Sequence, residues 1–345
     1  MKKNRRDPSA PSSLLSTHGA VSASAILVRG AALLIGVLCT MAAAAQSYPN
    51  RPLRLVVPFP AGGIVDVTAR QLGQKMGETL GQSVVIDNRP GAGGSVGTQF
   101  VAKSPADGYT LLMAFDTHAV NPLIYKNLPF DTFKDFAPVS SVGTIPLIFA
   151  STPGFPAKNL AELVQQSKAN PAGLSYGSVG AGSSGHLLAE QFKVLTGANM
   201  LHIPFKGGAP ALNALMGEQI QLVVFAAGTA VPHVHAGRLT ALAVTGSRRA
   251  KVLPDVPTTT EAGFAQLNSG AWMGILAPAG TPEPIVGQLR AAIAKAVKDS
   301  AMVKSLGEQA VELNASGSAE FGQFIRAEHD KWAKVIKDAH LDLSQ

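Results

Sequence analysis

The stretch LRLVVPFPAGGIVDVTARQLGQKMGETL, residues 53–80, decides the fold of this chain. It begins with an apolar, β-branched run, which predicts a short buried strand. The pair Gly62–Gly63 then interrupts the pattern and indicates a tight turn. From Val65 the apolar residues recur at every third or fourth position, which predicts a helix through the rest of the stretch. This arrangement directs free backbone N–H groups and the positive end of a helix dipole at the space above the turn, where an anion is favoured.

The same arrangement occurs twice more along the chain. LSYGSVGAGSSGH, residues 174–186, leads from a short strand through a Gly/Ser-rich turn into a helix. FKGGAP, residues 205–210, follows another strand and opens a further helix. One such turn without any ligand is an ordinary βα connection, whereas three of them in one chain favour a site for an anion.

The first 45 residues are predicted to be a cleaved signal peptide, which predicts a periplasmic location. A basic start precedes a short apolar segment at residues 31–41 and three alanines before Gln46. The apolar segment is about half of the ~20 residues that a membrane span needs, so a permanent membrane anchor is the less favoured alternative. The pair Arg5–Arg6 leaves the general secretory and twin-arginine routes both open.

Removal of the signal peptide changes the composition of the chain. The formal net charge falls from +7 to +3, and no basic run is left, so nucleic acid is not an expected partner. Cys39 is the only cysteine and is lost with the signal peptide. Disulfides, thiol catalysis and cysteine-based metal sites are therefore excluded for the mature protein.

The mature chain is predicted to have an α/β fold. Residues 53–115 alternate strand and helix, which is typical of a parallel sheet with helices on both faces. Two further strands, predicted near 139–150 and 271–277, carry the chain into a second lobe and back, with a loop expected at 121–138. The expected architecture has two lobes, each a mainly parallel sheet flanked by helices, with the ligand cleft between the lobes. The predicted boundaries are 46–145 and 273–345 for lobe 1 and 146–272 for lobe 2.

Polar residues follow the third predicted strand. Asp116, Thr117 and His118 lie where that strand ends, and ligands of open α/β sheets bind outside the carboxyl ends of the strands. They are therefore candidate ligand contacts, although solvated loop residues would show the same pattern.

Enzymatic interpretations of the second glycine turn are weak. Gly180, Gly182 and Gly185 match G-x-G-x-x-G, but no acidic residue follows about 20 positions later to bind a ribose, so no nucleotide cofactor is predicted. Ser183 and Ser184 do not lie in G-x-S-x-G, the pattern of a hydrolase nucleophile. Serine hydroxyls at these positions suit a carboxylate as well as a phosphate.

A metal site is not predicted either. His233 and His235 are two residues apart, which suits a metal only on a strand, and Pro232 and the helical context disfavour it.

Eight segments of the mature chain carry a resemblance to a known family. They are PFPAGGIVD (58–66), DNRPGAGGSVG (87–97), DGYTLLM (107–113), YGSVGAGSSGH (176–186), PFKGGAPAL (204–212), LAVTGSRR (242–249), LPDVPTTTEAGF (253–264) and APAGTP (277–282). Together they resemble the Bug family, the periplasmic solute-binding proteins of tripartite tricarboxylate transporters. The resemblance covers essentially the whole mature chain in order and implies an α/β, two-lobe periplasmic-binding-protein (Venus-flytrap) fold.

The resemblance implies a non-enzymatic protein that closes on a small carboxylated solute and delivers it to a membrane permease or a sensor. It implies that Gly62 and Gly63 supply N–H groups to one end of the ligand and that the two later turns hold the carboxylate from the other side. Phe59 and Phe205 would form apolar walls. No cofactor is implied, and the protein is expected to be a monomer. The predicted ligand-binding residues are Phe59, Ala61, Gly62, Gly63, Asp66, Asp116, Thr117, His118, Ser178, Gly182, Ser183, Ser184, His186, Phe205, Gly207, Gly208 and Ala226.

Three positions depart from the usual family pattern. Ile64 stands where a hydroxyl residue is common, Ala226–Ala227 where Asp-Asn is common, and Asp116 where a neutral polar residue is more familiar. These departures suggest the hypothesis that Asp116 pairs with a cationic or hydroxyl group on a ligand that also carries a carboxylate. Alternative functions are an exported binding protein that serves a sensor kinase, a serine hydrolase and a nucleotide-dependent enzyme.

Overall fold

The computed structural model describes residues 48–338, 340 and 341, so the predicted signal peptide and Cys39 lie outside the described residues. In the described part of the chain, no helix is both long enough and apolar enough to cross a membrane.

The first half of the chain forms the predicted alternation of strands and helices. The apolar positions of the first helix face the core, since Val65, Ala69, Leu72 and Met76 are at most 4% exposed. Full burial of a side chain the size of Leu72 contributes about 1.5–3 kcal/mol. The elements are β1 (Leu53–Val57), α1 (Ile64–Leu80), β2 (Val84–Asn88), α2 (Ser95–Ala102), β3 (Thr110–Phe115), α3 (Thr117–Ile124) and β4 (Phe136–Ser151).

The second half continues with shorter elements before the chain returns to the first three strands. Each predicted strand of this half forms within a few residues of its expected bounds. The elements are α4 (Leu160–Ala169), β5 (Leu174–Ser178), α5 (Ser184–Thr196), β6 (Met200–Pro204), α6 (Gly208–Met216), β7 (Leu222–Ala226), α7 (Val231–His235), β8 (Thr240–Val244), β9 (Gly270–Pro278), α8 (Glu283–Ala296), α9 (Ser300–Gly307), β10 (Glu312–Leu313) and α10 (Ser318–Asp338).

The strands form a continuous mixed sheet in the order β2-β1-β3-β9-β4-β7-β5-β6, with β8 and β10 also paired to β4. Strands β1 to β3 pair in parallel, and so do β5 to β7, while β9 and β4 run antiparallel to their neighbours. The chain therefore has the expected α/β class, a sheet with two parallel groups of strands, flanked by helices.

The long strand β4 connects the two parallel groups. Its first part, Phe136–Pro146, pairs with β9, and its second part, Leu147–Ser151, pairs with β7. The change of partner lies between Pro146 and Leu147, one residue after the predicted lobe boundary at 145/146. Because the chain from Pro49 onward forms one compact unit, the lobe boundaries stay predictions.

One predicted loop is wrong at its start. The prolines of residues 121–138 predict a loop, yet α3 continues to Ile124 with Pro122 inside it. The helix persists because Val120 and Ile124 pack against Leu187 and Trp332. Tertiary packing outweighs the loss of one backbone hydrogen bond in a short helix.

Candidate ligand-binding site

The first glycine turn joins β1 to α1 and lines a cavity. Gly62 has a φ of +83°, and a Cβ built on it would meet nothing within 4 Å, so the position requires glycine for its backbone conformation. No side chain caps α1, whose first N–H groups are therefore left for another acceptor. Gly63, Ile64 and Val65 line the cavity, so the turn presents the positive end of the α1 dipole to it.

Asp66, a predicted ligand residue, lies beneath this turn and is 2% exposed. Its Oδ2 accepts hydrogen bonds from the Gly62 N–H and the Arg70 Nε, both at 2.9 Å, and its Oδ1 accepts one from the Asn88 Nδ2 at 2.9 Å. Burial raises the pKa of this carboxyl, but the three donors lower it by more, so the pKa lies below its usual value. Because Asp66 already binds the N–H of Gly62, the first turn offers the N–H of Gly63 rather than both.

Most polar side chains of the second turn hold the turn itself. The hydroxyls of Ser178 and Ser183 donate to the carbonyl oxygen of Gly180 at 2.9 and 2.8 Å, and the N–H of Gly182 donates to His186 Nδ1 at 3.0 Å. Ser183 is also the N-cap of α5. From this turn the cavity lining takes Val179, Ser184 and Gly185.

His186 belongs to a largely buried aromatic pair. Its ring stacks on that of His202 with 3.8 Å between centroids, and His202 Nε2 lies 2.7 Å from the Ser178 Oγ. Burial lowers the pKa of His186 to about 4, with a smaller effect of the Lys193 charge. Burial also lowers the pKa of His202 to about 3, and so do the charges of His186 and Lys193. Both rings are therefore neutral at pH 7 and act as packing groups of the second turn.

The third turn contributes a lysine, Lys206, to the cavity lining. Gly207 has a φ of +118° and precedes α6, whose N-terminal residues face the cavity. Lys206 is exposed and is the one basic residue among the described residues of the lining. The turn contributes Lys206, Gly207, Gly208, Ala209 and Pro210 to the lining.

Asp116 is the acidic residue of the cavity, and it immediately follows β3. Its side chain is 1% exposed, its Oδ2 accepts a hydrogen bond from the Ser184 hydroxyl, and its Oδ1 has no hydrogen-bond partner among the residues that the structure describes. Burial raises the pKa of Asp116 to about 7 against the opposing effect of the Ser184 hydroxyl. The carboxyl therefore changes its charge near neutral pH.

The two polar residues after Asp116 do not line the cavity. Thr117 begins α3 and is 6% exposed, and His118 is buried against Phe136 with their ring centroids 5.1 Å apart. Burial lowers the pKa of His118 to about 4. These side chains support the start of α3 rather than the cavity.

The three turns and the end of β3 enclose one cavity of about 350 Å³, which we call the glycine-turn cavity. Pockets for small ligands begin at about 300 Å³. Its lining comes from residues 59–65 and 115–116 in the first part of the chain and from residues between Val179 and Thr229, with Ala271, in the second. Phe59 and Phe115 form part of the apolar wall and meet edge to face, 5.4 Å between centroids.

The structure brings nine of the seventeen predicted ligand-binding residues into this lining. The nine are Phe59, Ala61, Gly62, Gly63, Asp116, Ser184, Gly207, Gly208 and Ala226. The other eight lie behind the lining or beside it: Asp66, Thr117, His118, Ser178, Gly182, Ser183, His186 and Phe205.

Phe205 lines a second space, the adjoining cavity, of about 640 Å³. This cavity extends to the loop at residues 90–94 and shares five residues with the glycine-turn cavity: Phe59, Pro60, Val179, Lys206 and Gly207. The shared residues make Lys206 part of the boundary between the two spaces.

Some lining residues were missed from the sequence. Lys206 lies inside a predicted turn. It is the one charged residue of that turn, and this was the signal that could have identified it as a site residue. Phe115 and Ala271 are ordinary apolar strand residues, and nothing in their local sequence distinguishes them from core residues. The missed residues are Pro60, Ile64, Val65, Phe115, Val179, Gly185, Lys206, Ala209, Pro210, Phe225, Thr229 and Ala271.

Comparison with known proteins gives a family match over most of the chain. Residues 68–341 match the family model described as the tripartite tricarboxylate transporter family receptor. A UPF0065 protein of Bordetella pertussis is 37% identical over 91% of this chain and 98% of its own length. Protein BugT of the same organism is 36% identical over 85% of this chain and 91% of its own length.

Solved structures agree with the family match. A structure described as a periplasmic transporter is 39% identical, with a TM-score of 0.82 over 86% of this chain and 100% of its own. An R. palustris protein solved with adipate is 35% identical, with a TM-score of 0.81 over 85% of this chain and 99% of its own. MatC from Rhodopseudomonas palustris, solved with bound malate, is 32% identical, with a TM-score of 0.77 over 84% of this chain and 100% of its own.

Proposed function

The chain belongs to the tripartite tricarboxylate transporter receptor family, the Bug family of the sequence comparison, and we propose that it captures a small carboxylated solute in the glycine-turn cavity. Two structural relatives support the class of ligand, since one is described with adipate and the other with malate. Both compounds carry two carboxylates on a short carbon chain.

The observation that carries the proposal is the convergence of glycine turns on one small cavity. The N-termini of α1, α5 and α6 each contribute residues to the lining. Helix N-termini combine free N–H groups with a positive dipole end, so they favour a carboxylate without a buried cation. Lys206 adds a full positive charge at the same cavity. A ligand carboxylate there would face donors from both sides.

Individual roles follow from this placement. The N–H groups of Gly63 and Gly208 would donate to ligand carboxylates, directly or through ordered water. Phe59 would form an apolar wall over the carbon chain. Phe205 would reach a ligand only where the glycine-turn cavity opens into the adjoining cavity. Asp66, Ser178, Gly182, Ser183 and His186 would act indirectly, by holding the turns in shape.

We propose binding without turnover. Ser183 donates its hydroxyl within the second turn, and the Nδ1 of His186 already accepts the N–H of Gly182. A serine nucleophile needs a neighbouring base with a free lone pair, and this pair lacks that arrangement. Family membership supports the same proposal.

Ligand capture would involve movement of the two predicted lobes, 46–145 with 273–345 and 146–272. The lining residues come from both segments, so a ligand bound between them would stabilise the closed arrangement. Strands β4 and β9 are the connections between the segments and would act as the hinge. We propose a periplasmic location, with a transporter permease or a sensor as the partner that receives the loaded protein.

A thermal-shift screen of the purified protein tests the proposed function. The panel contains mono-, di- and tricarboxylates, acidic amino acids, aromatic acids and NAD. A carboxylate that binds the native state raises the melting temperature in proportion to RT ln(1 + [L]/Kd), about 2.7 kcal/mol at 100 Kd. We expect at least one carboxylate to do so. A shift with NAD alone would contradict the proposal, and mass spectrometry of the denatured protein identifies a ligand that already occupies the cavity.

A further inference from the structure

The buried carboxyl of Asp116 has one oxygen without a partner. The residue lines the glycine-turn cavity and is 1% exposed. Oδ2 accepts the hydroxyl of Ser184, while Oδ1 has no hydrogen bond. An unpaired buried acceptor costs about 1–3 kcal/mol, so its persistence at a cavity wall points to a group that arrives with the ligand.

The neighbouring protein groups around Asp116 are hydrogen-bond donors, so its carboxyl acts as an acceptor. The Ser184 hydroxyl donates to it, and the N–H groups of Thr117 and Ser184 also favour its ionised form. No lysine, arginine or histidine of the described chain forms an ion pair with Asp116, and the charge acting on it from α10 is the negative Glu328. A donor, above all a cationic one, is therefore what this position lacks.

The opposite charge of the cavity lies on the third turn. Lys206 lines the same cavity, and within the described residues it has no ion pair. A ligand with a carboxylate at Lys206 and the first and third turns, and a donor at Asp116, would match both charges. Phe115, Phe225 and Ala271 are apolar members of the same lining.

We propose that Asp116 is a specificity-determining residue, whose free Oδ1 accepts a hydrogen bond from a hydroxyl or ammonium group of the ligand. The preferred solute is then a hydroxy- or amino-substituted carboxylate, rather than an unsubstituted one. This inference rests on the proposed function and adds to it the class of solute. A site built to bind an OH or NH group discriminates strongly against the analogue that lacks it, because its own polar group is left unpaired.

The rival arrangement has the opposite polarity. A protonated Asp116 would donate its own proton to a second ligand carboxylate, and an unsubstituted dicarboxylate would then bind best. The two arrangements predict opposite orders of affinity within a series of ligands of equal length.

The experiment is isothermal titration calorimetry with two matched series at pH 7.5. The four-carbon series is succinate, malate and aspartate, and the five-carbon series is glutarate, 2-hydroxyglutarate and glutamate. The proteins are wild type, Asp116→Asn and Asp116→Ala. Asp116→Asn keeps the shape and an acceptor oxygen but removes the charge, while Asp116→Ala removes the acceptor. Asp255→Asn is the control, because it makes the same charge change at an exposed residue outside the cavity.

We expect a hydroxy or amino member to bind wild type at least tenfold more tightly than the unsubstituted member of its series. That preference should fall below threefold in Asp116→Ala and stay unchanged in Asp255→Asn. Asp116→Asn separates the two kinds of donor. If this variant still prefers the hydroxy compounds but no longer prefers the amino compounds, the donor in the amino series is the charged ammonium group. Thermal melting of each variant verifies that it is folded. If Asp116→Ala is not folded, Asp116→Leu, which has a similar shape and also lacks the acceptor, supplies the test.

Three results would overturn the inference while leaving the proposed function intact. One is equal or tighter binding of succinate or glutarate by wild type. Another is survival of the substituent preference in both Asp116 variants. The third is binding of other carboxylates but of neither series. If no carboxylate of any kind binds, the proposed function fails as well.

Discussion

The Oδ2 atom of Asp66 accepts a hydrogen bond from the backbone N–H of Gly62 at 2.9 Å, so a residue in the first turn of α1 holds the glycine turn that precedes it. Arg70, one helical turn later, donates to the same oxygen at 2.9 Å. Asn88 at the end of β2 donates to the other oxygen and to the carbonyl of Phe59. One buried carboxylate therefore joins β2, α1 and the turn that lines the cavity.

Replacement of Asp66 by alanine should destabilise the protein and weaken ligand binding together. The change leaves the N–H of Gly62 and the amide of Asn88 without their acceptor, which we expect to cost about 2–4 kcal/mol. Urea unfolding measures the stability, and calorimetry measures the affinity. Asp255→Ala is the control at an exposed aspartate. Unchanged affinity in a folded Asp66→Ala protein would show that the turn keeps its shape without this carboxylate.

Gly62 and Gly280 provide a matched pair for the first turn. Both have a φ of +83°, and a Cβ on either would meet no atom closer than 3.9 Å. Alanine at either position should cost about 1–2 kcal/mol, because the left-handed conformation is strained for it. Only Gly62→Ala places a methyl group in the cavity lining, so only this variant should weaken binding severalfold. Equal ligand affinities of the two variants would show that the first turn does not contact the ligand.

Gly185 allows α5 to approach β7. A Cβ at this position would lie 2.1 Å from the carbonyl oxygen of Val224, a backbone atom that has no room to move. Gly185→Ala should therefore lose about 3 kcal/mol or more, near the upper end of overpacking effects. Gly287→Ala in α8 is the control, since its Cβ would meet nothing within 4 Å. Near-native stability of Gly185→Ala would mean that the contact between α5 and β7 is looser than described.

Three largely buried histidines should make stability depend on pH. The pKa values of His118, His186 and His202 are lowered from 6.5 to about 4, 4 and 3, mainly by burial. The unfolded chain then binds more protons than the native protein between pH 4 and 6.5, so stability rises with pH across this window. Each residue contributes on the order of 1–3 kcal/mol at pH 7. Urea unfolding from pH 4.5 to 7.5 measures the rise. His118→Phe keeps the packing against Phe136 and should reduce the slope, whereas an equal slope would contradict this origin.

Asp116 should have the opposite effect on the pH dependence of stability. Its pKa is raised from 3.8 to about 7, mainly by burial, with Glu328 adding to the shift and Ser184 opposing it. The native protein then binds more protons than the unfolded chain between pH 4 and 7, so this carboxyl reduces stability as the pH rises. Asp116→Asn lacks the titration. We expect its melting temperature relative to wild type to increase from pH 4 to pH 8, and a constant difference would contradict the raised pKa.

Local patterns predicted much of the fold because strands and helices of this chain are strongly periodic. The run at residues 53–57 and the helix period from Val65 both form as expected, and their apolar residues are buried. The antiparallel placement of β9 between β3 and β4 was not predictable from spacing. It depends on pairing between segments more than 120 residues apart.

The sequence predicted the turns of the candidate site more reliably than it predicted which side chains line the cavity. Gly63 and Gly208 line the cavity because the turn geometry itself is local. Asp66 and Asp116 were both predicted to bind the ligand, yet one lies beneath a turn and the other faces the cavity. The direction of each carboxylate depends on neighbours such as Asn88 and Ser184, which are distant in sequence.

The sequence by itself determined the alternating elements, the three glycine turns and the likeness to a family of solute-binding proteins, because all of these are encoded in short contiguous segments. Only the tertiary structure decided which side chains meet at one cavity. It placed Lys206 and Asp116, 90 positions apart, in the same lining and left one oxygen of Asp116 unpaired. Charge complementarity to a ligand arises from that juxtaposition, since it depends on where the turns and strand ends lie relative to one another in space.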